Sequence, residues 1–359
     1  MLKIVEHKKI YLTIAAVLVV ASIASLLIQG FALDTDFAGG TSISYTFSKD
    51  VKEAEVEAIA EKAFGKKPSM VRKTDNVIDI EVGHDTKLSD DENVKNANGA
   101  VEALTYELAQ KWGKVTPVVD KDGAAVTSST KAAAGVAWYK EGDTKTAITS
   151  DQINKQVINH DGYKYFVDGV SKSELNVVSP STARSLAKSA ILMSILAALA
   201  ILIYVWIRFE LTSGVCAVVA LAHDVLVLCG IYSILRIKID TNFIAAVLTV
   251  LGYSINNTIV IFDRIRENTR QASKNVSYGQ IANTSINQTL KRSINTTITT
   301  LLTIGMVYVL GVASIKEFAL PIIIGIIVGT YSSIFVSGSI WSIWRDDAVK
   351  NKKAKAKAK

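Results

Sequence analysis

A chain of 359 residues with 49% hydrophobic residues and a net charge of +7 has a mean hydropathy of +0.29. Its apolar residues lie in blocks and not at amphipathic spacing, which excludes a single soluble domain. The positive charge does not mark a nucleic-acid binder, because many lysines and arginines stand at the edges of the apolar blocks with no nucleic-acid motif or aromatic-basic groove pattern around them.

Six stretches are long enough to cross about 30 Å of hydrocarbon at roughly 1.5 Å per residue. They run over 10–32, 185–207, 213–234, 242–262, 294–312 and 318–341, with one wide polar segment, 33–184, between the first and the other five. The predicted fold class is an α-helical polytopic membrane protein. Both cysteines, Cys216 and Cys229, fall in the third span, so the polar segment has no internal disulfide and no Cys-based metal site.

Residues 1–9 carry Lys3, Lys8 and Lys9 ahead of a first span that lacks a small-residue cleavage pattern, which reads as a retained anchor with a cytoplasmic N-terminus. Six crossings return the C-terminus to the same side, where the tail 342–359 holds Lys350, Lys352, Lys353, Lys355, Lys357 and Lys359. The loop after the fourth span adds Arg264, Arg266, Arg270, Lys274, Lys291 and Arg292, whereas Arg236 and Lys238 are a local exception on the other side. The segment 33–184 is thereby predicted to be extracytoplasmic. The Lys-Ala tail reads as a solvated extension touching anionic membrane lipids, with no specific chemistry.

After the first span, Asp34 and Asp36 stand at the interface and the pair Gly39-Gly40 permits a backbone path closed to other residues. Strand-like alternation at 41–47, helical spacing at 51–64, alternation at 76–82, a helix at 94–112 and a strand at 175–179 predict a ferredoxin-like α+β domain. Within it, 114–173 reads as an inserted hairpin or small subdomain. The run Asp120-Lys121-Asp122-Gly123 lacks the further carboxylates of a calcium loop and reads as a plain turn. His84-Asp85 and His160-Asp161 read as surface pairs.

The fourth span carries Ser254, Asn256, Asn257 and Thr258 in its second half and runs into Asp263-Arg264-Ile265-Arg266-Glu267-Asn268. Unpaired amides in hydrocarbon cost several kcal/mol, so these residues face protein or water. Either they hold helices together or they belong to a bundle that works on something polar. In the third span, Ala222-His223-Asp224 puts a carboxyl near the middle of an apolar helix, a position that costs about 2.5 to 3.5 kcal/mol on insertion scales. Asp224 is then either a proton-exchanging group, its charged form favoured by a nearby arginine, or half of a static ion pair. His223 either relays protons or packs with its ring nitrogens satisfied. Arg264 follows Asn257 by two turns on one face, and Asp263 follows Asn256 likewise, so a polar track could reach the cytoplasmic mouth.

In the sixth span Gly325, Gly329, Ser333 and Ser337 lay a stripe of small residues on one face, and Pro321 fits a first helical turn. Gly252 is read with Gly39, Gly40, Gly325, Gly329 and Ser333 as a packing position. Thr296, Thr297, Thr299, Thr300 and Thr303 in the fifth span can bond their own helix or a neighbour.

These residues resemble the SecF family of protein-export membrane proteins. The resemblance lies in Asp36-Phe37-Ala38-Gly39-Gly40-Thr41, Tyr204 to Glu210, Ala222-His223-Asp224, Gly252-Tyr253-Ser254-Ile255-Asn256, Asp263 to Asn268, Asn287-Gln288-Thr289-Leu290, Ile294-Asn295-Thr296 and Gly325 to Ser333. It implies an RND-type bundle of six helices with an extracytoplasmic domain between the first two. It also implies a subunit that pairs with SecD beside the SecYEG channel and uses proton flow to pull unfolded exported polypeptide outward after the SecA ATPase has pushed it. Asp224 and Arg264 match the family's proton-path positions. Where the family commonly has Asn-Asp-Thr, this chain has Asn256-Asn257-Thr258, an amide that bonds but does not titrate. Before the second span it has Val178-Ser179-Pro180 in place of a common Val-Gly-Pro. An RND-like exporter of lipids or small amphiphiles and a passive scaffold of the export complex are the alternatives. With no phosphate loop, nucleophile elbow or metal-ligand spacing, the chain is not expected to be an enzyme or to hold a cofactor.

Overall fold

A computed structural model describes residues 2–85, 87–130, 137–208, 210–273 and 276–357. Phe209, Lys274 and Lys359 lie outside the described residues, and so do the side chains from 349 onward that make up the basic tail. The chain divides into two compact units, Asp34–Ala187 and the rest.

The first membrane-length helix, α1 (Lys8–Gln29), ends at Gly30 and leads into a two-residue strand, β1 (Ala32–Leu33). A single turn, α2 (Thr35–Ala38), then opens the polar unit. Gly39, at φ +76°, turns the chain into β2 (Gly40–Phe47). A Cβ on Gly40 would lie 2.7 Å from the Val82 carbonyl oxygen, so the close strand approach there needs glycine.

The next elements are α3 (Glu53–Phe64), β3 (Met70–Thr74), β4 (Val77–Gly83) and α4 (Asp90–Trp112). Sequence reading starts α4 at its first apolar residue, Val94, whereas the helix begins a turn earlier. Ser89 and Glu92 form a capping box there, satisfying the first free N–H groups. The insertion supplies β5 (Lys114–Val119), β6 (Tyr139–Lys140), β7 (Asp143–Ala147), α5 (Ser150–Gln156), β8 (Val157–His160) and β9 (Tyr163–Asp168). It is a subdomain and not a hairpin, with a five-stranded sheet ordered β7-β6-β5-β9-β8 and its own core of Val118, Val126, Trp138, Ile148 and Phe166.

β10 (Val170–Val178) returns to pair with β2. The resulting sheet, β10-β2-β4-β3, is antiparallel throughout, and the βαββαβ order makes it ferredoxin-like. Period-two alternation brings Ile43, Tyr45, Phe47, Ile78, Ile80 and Val82 onto one face, where Val56, Ala60, Val101, Leu104 and Leu108 of the two helices cover them. The middle of β10, Ser173 to Asn176, is exposed, which is why only its end reads as a strand. Asp120 Oδ1 accepts from the Asp122 and Ala124 N–H groups at 3.0 and 2.8 Å, so that run is a turn. His84 is not a simple surface residue, since its Nε2 lies 3.1 Å from Thr41 Oγ1 and its Nδ1 is buried with no partner among the described residues.

The membrane unit resumes along α6 (Pro180–Arg208) and continues with α7 (Leu211–Ile234), β11 (Lys238–Ile239), α8 (Thr241–Gln271), α9 (Tyr278–Leu310) and α10 (Ala313–Tyr331). A π-helical segment, Ser332–Ser337, joins α10 to α11 (Gly338–Lys357). With α1 there are six spans of membrane length and apolarity among the described residues. α9 starts well before the predicted fifth span, because its first half is too polar to read as hydrocarbon-crossing yet buries Ile281, Ala282, Ser285 and Ile286. Pro321 lies inside α10, past its first turn, contrary to the first-turn reading.

α1 lies tightly on α7. A Cβ on Gly230 would stand 2.6 Å from the Ser22 Cα, Ser25 and Ser233 share a 2.8 Å bond, and Ser233 donates to the Gly30 carbonyl at 2.9 Å. β1 pairs in parallel with β11. Arg236 donates to the Gln29 carbonyl at 2.9 Å, so the cation that breaks the charge pattern caps the end of α1.

Candidate functional site

Asp224 on α7 is fully buried, and its carboxyl is bonded at both oxygens. Ser254 Oγ of α8 donates to Oδ2 at 2.5 Å, and Ser332 Oγ donates to the same atom at 2.9 Å. His223 Nδ1 lies 3.0 Å from Oδ1. Ser332 is the first residue of the π-helical segment, whose i→i+5 bonding widens the turn. Ser332 and Ser333 are both fully buried. The first turns to Asp224, and the second bonds Thr258 Oγ1 at 2.9 Å and donates to the Ser254 carbonyl at 3.3 Å.

This set suits both states of the carboxyl. Ionised, it accepts from two hydroxyls and an Nδ1–H. Protonated on Oδ1, it donates to Nδ1 once the imidazole carries its proton on Nε2. A proton can therefore rest on either side of the Nδ1–Oδ1 contact without leaving a carboxyl oxygen unpaired. His223 Nε2 is buried with no partner among the described residues, so it is the open end of the pair; sequence reading left room for both ring nitrogens to be satisfied.

The small residues make this arrangement possible. A Cβ on Gly329 would fall 3.0 Å from Ser254 Cβ and 3.5 Å from Asp224 Oδ2. Gly325 faces Val250, where a Cβ would come within 2.6 Å of Cγ1. Gly252 has open space at its Cβ position and is exposed, so the packing role expected from sequence is not found there.

The arginine expected beside Asp224 is elsewhere. Arg264 lies about 15 Å of helix rise beyond Ser254, donating to Gln288 Oε1 at 2.6 Å and to Glu267 Oε2 at 2.5 Å. Gln288 also accepts from Asn268, which donates to Ser285 Oγ too, each at 2.8 Å. These residues form a separate polar layer between α8 and α9. Asp263 pairs with Arg208 at 3.1 Å near the surface, and Asn256 is exposed. Asn257 is buried, and its Nδ2 has no partner among the described residues. The structure thus gathers His223, Asp224, Ser254, Gly329 and Ser332; Arg264 and Asp263 have other partners, Asn256 is exposed, and Asn257 is buried without a bond to the cluster. Ser332 escaped sequence reading; the adjacent pair Ser332-Ser333, which breaks the four-residue stripe, was the signal for it.

The fifth-span threonines mostly serve their own helix, as Thr296 and Thr300 do, whereas Thr297 bonds Thr330 at 3.0 Å and accepts from Tyr253 Oη at 3.2 Å.

The chain as a whole is similar to known membrane proteins. The family model described as protein export membrane protein SecD/SecF, C-terminal, matches residues 160–347, more than half of the 359-residue chain. The protein translocase subunit SecF of Petrotoga mobilis is 31% identical, over 92% of this chain and 91% of its own length. The SecF of Alicyclobacillus acidocaldarius is 37% identical over 56% of this chain and 66% of its own, and the SecDF of Bacillus subtilis is 36% identical over 53% and 26%. The crystal structure of SecDF, a translocon-associated membrane protein from Thermus thermophilus, superposes with a TM-score of 0.68 at 26% identity. That match covers 95% of this chain, which spans 38% of the solved one. A family model over half the chain and a relative aligned nearly end to end point the same way, and the chain belongs to the SecD/SecF family of protein-export membrane proteins.

Proposed function

We propose that this chain works as the SecF-type half of a SecD–SecF pair beside the SecYEG channel, drawing unfolded exported polypeptide outward after the SecA ATPase has pushed it, with proton flow as the energy source. The observation that carries this reading is Asp224, a carboxyl buried at the meeting of α7, α8 and the π-helical segment with a complete bond set in either protonation state. Loss or gain of its proton reverses the direction of the Nδ1–Oδ1 bond and changes the charge that Ser254 and Ser332 bind, and this biases how the three helices pack. One charge crossing the membrane releases about 2.3 kcal/mol per 100 mV, enough to bias a two-state movement more than tenfold.

In this reading both termini are cytoplasmic, the unit Asp34–Ala187 is extracytoplasmic and grips the emerging chain, and His223 passes protons to Asp224. Arg264, with Glu267, Gln288 and Asn268, forms the cytoplasmic mouth of the path. The chain is a mechanical subunit and not an enzyme; ATP chemistry belongs to SecA.

The test replaces Asp224 with Asn, confirms membrane insertion and co-purification with SecD, and measures export of a slow-translocating precursor with the proton gradient present and collapsed. Loss of the gradient-dependent part alone supports the proposal. Unchanged export would remove Asp224 from any motor and leave a scaffold.

A further inference from the structure

One end of the membrane unit carries a small cavity that the proton path does not use. It has about 50 Å³ of free volume, room for roughly four waters, which is about the bulk of a phosphate group. Arg266 and Arg270 of α8, Arg345 and Trp341 of α11 and Glu210 ahead of α7 line it, over a floor that includes Phe262.

The charges in this cavity do not balance. Glu210 accepts from Arg345 Nη2 at 2.6 Å, which accounts for one cation. Arg266 and Arg270 make no ion pair or side-chain hydrogen bond among the described residues. Two further donors, Trp341 Nε1 and Arg345 Nε, are buried with no partner among the described residues. Trp341 is only 2% exposed, and the Arg345 guanidinium is held 5.7 and 5.8 Å from the Tyr278 and Trp341 ring centroids. A buried N–H without an acceptor is costly, and Arg266 and Arg270, which are exposed to solvent, add two mobile cations at the rim of the same space. All of these groups are donors or cations, so a single species would satisfy them, a compact anion with several acceptor oxygens. Planar guanidinium forks match phosphate in two-pronged fashion.

The site stands at the end of the bundle where Ile4 and Val5 of the N-terminal segment pack with Ile265 and Trp341, which is where a lipid headgroup would lie on the basic side of a bilayer. We propose that this cavity is a phosphate-binding site, taking the phosphate of an anionic lipid headgroup or a free phosphate anion.

The experiment uses the purified full-length chain in detergent. Retained phosphatidylglycerol is counted by native mass spectrometry, and inorganic phosphate is titrated in parallel against the thermal unfolding midpoint. The comparison is with Arg266→Gln/Arg270→Gln, with Lys8→Gln/Lys9→Gln as a control that removes two charges near the same end, and with Trp341→Phe, which deletes one donor and keeps a ring. Affinity for the lipid is expected to fall about tenfold or more in the double arginine variant, to fall less in Trp341→Phe, and to hold in the lysine control. Stabilisation of the wild type by inorganic phosphate, lost in the same variant, would support the site with a soluble anion as occupant. Equal losses in the arginine and lysine variants, or no response to either probe, would overturn the proposal.

Discussion

The Nδ1 of His223 and the Oδ1 of Asp224 lie 3.0 Å apart although the two residues are adjacent in α7. Neighbours on a helix point about 100° apart, so this contact requires both side chains to lean toward the same polar centre. His223→Gln separates the two roles the contact allows. Glutamine can still donate to Oδ1 but cannot carry a proton. If His223 passes protons, the gradient-dependent part of export falls about tenfold or more while assembly and gradient-independent export hold. Full activity in His223→Gln would reduce the histidine to a hydrogen-bond donor.

Ser332→Ala removes one of two hydroxyls on Asp224 Oδ2. The expected cost is about 1 kcal/mol, in line with interhelical hydrogen bonds in membranes. Ser254→Ala costs a similar amount, and the double variant costs more than the sum because the second loss leaves Oδ2 bare. Denaturant unfolding in mixed micelles reads these differences. Strict additivity would show that the two serines do not act on one atom.

Much of this could be read from the sequence, and the failures have identifiable physical causes. Span number follows from hydropathy, since hydrocarbon imposes one rule on every residue that crosses it. The buried polar positions Asp224 and Ser254 stand out against their apolar neighbours for the same reason. Their partners do not stand out. Whether Asp224 meets Arg264 or Ser332 depends on how far α7 and α8 are offset along their axes and on a π-helical segment, and neither leaves a periodic trace. The insertion 114–173 hid its sheet because β6 spans only Tyr139–Lys140 and its pairing with β5 is long-range.

Gly230 illustrates a constraint that no stripe announced. A Cβ added there would stand 2.6 Å from the Ser22 Cα of α1, so Gly230→Ala cannot be absorbed by a side-chain rotation. Overpacking of this kind costs about 1–3 kcal/mol or more, and the strain falls on the α1–α7 contact. The variant is expected to expose α1 to limited proteolysis and to lose the Ser25–Ser233 bond. Gly252→Ala, at an open position on α8, is expected to leave protease resistance unchanged, which provides the control.

The polar unit carries a pH dependence of its own at His84. Burial holds its pKa below the ordinary 6.5, the nearby Lys66 adds to the shift, and Asp90 opposes it. A histidine with a depressed pKa binds fewer protons when folded than when unfolded. Its contribution to stability is therefore complete above about pH 6.5 and is lost as pH falls through the folded value. Asp50, Glu55, Asp90 and Glu92 also have lowered values, held down mainly by hydrogen bonds to Lys73, Lys111, Ser181 and Ser89. Their contributions run in the same direction but are lost only in the carboxylate range, below the ordinary 3.8 or 4.5. His84→Gln should therefore remove the histidine's share of the stability loss below about pH 6.5 and leave the carboxylates' share intact. Asp90→Asn should push the His84 titration lower still, because it removes a nearby charge that favours the imidazolium. Thermal unfolding of the full chain across these windows, with an NMR titration of the His84 ring, reads both effects. An unchanged curve in His84→Gln would mean that Thr41 and the surrounding strands accommodate the charged ring as readily as the neutral one.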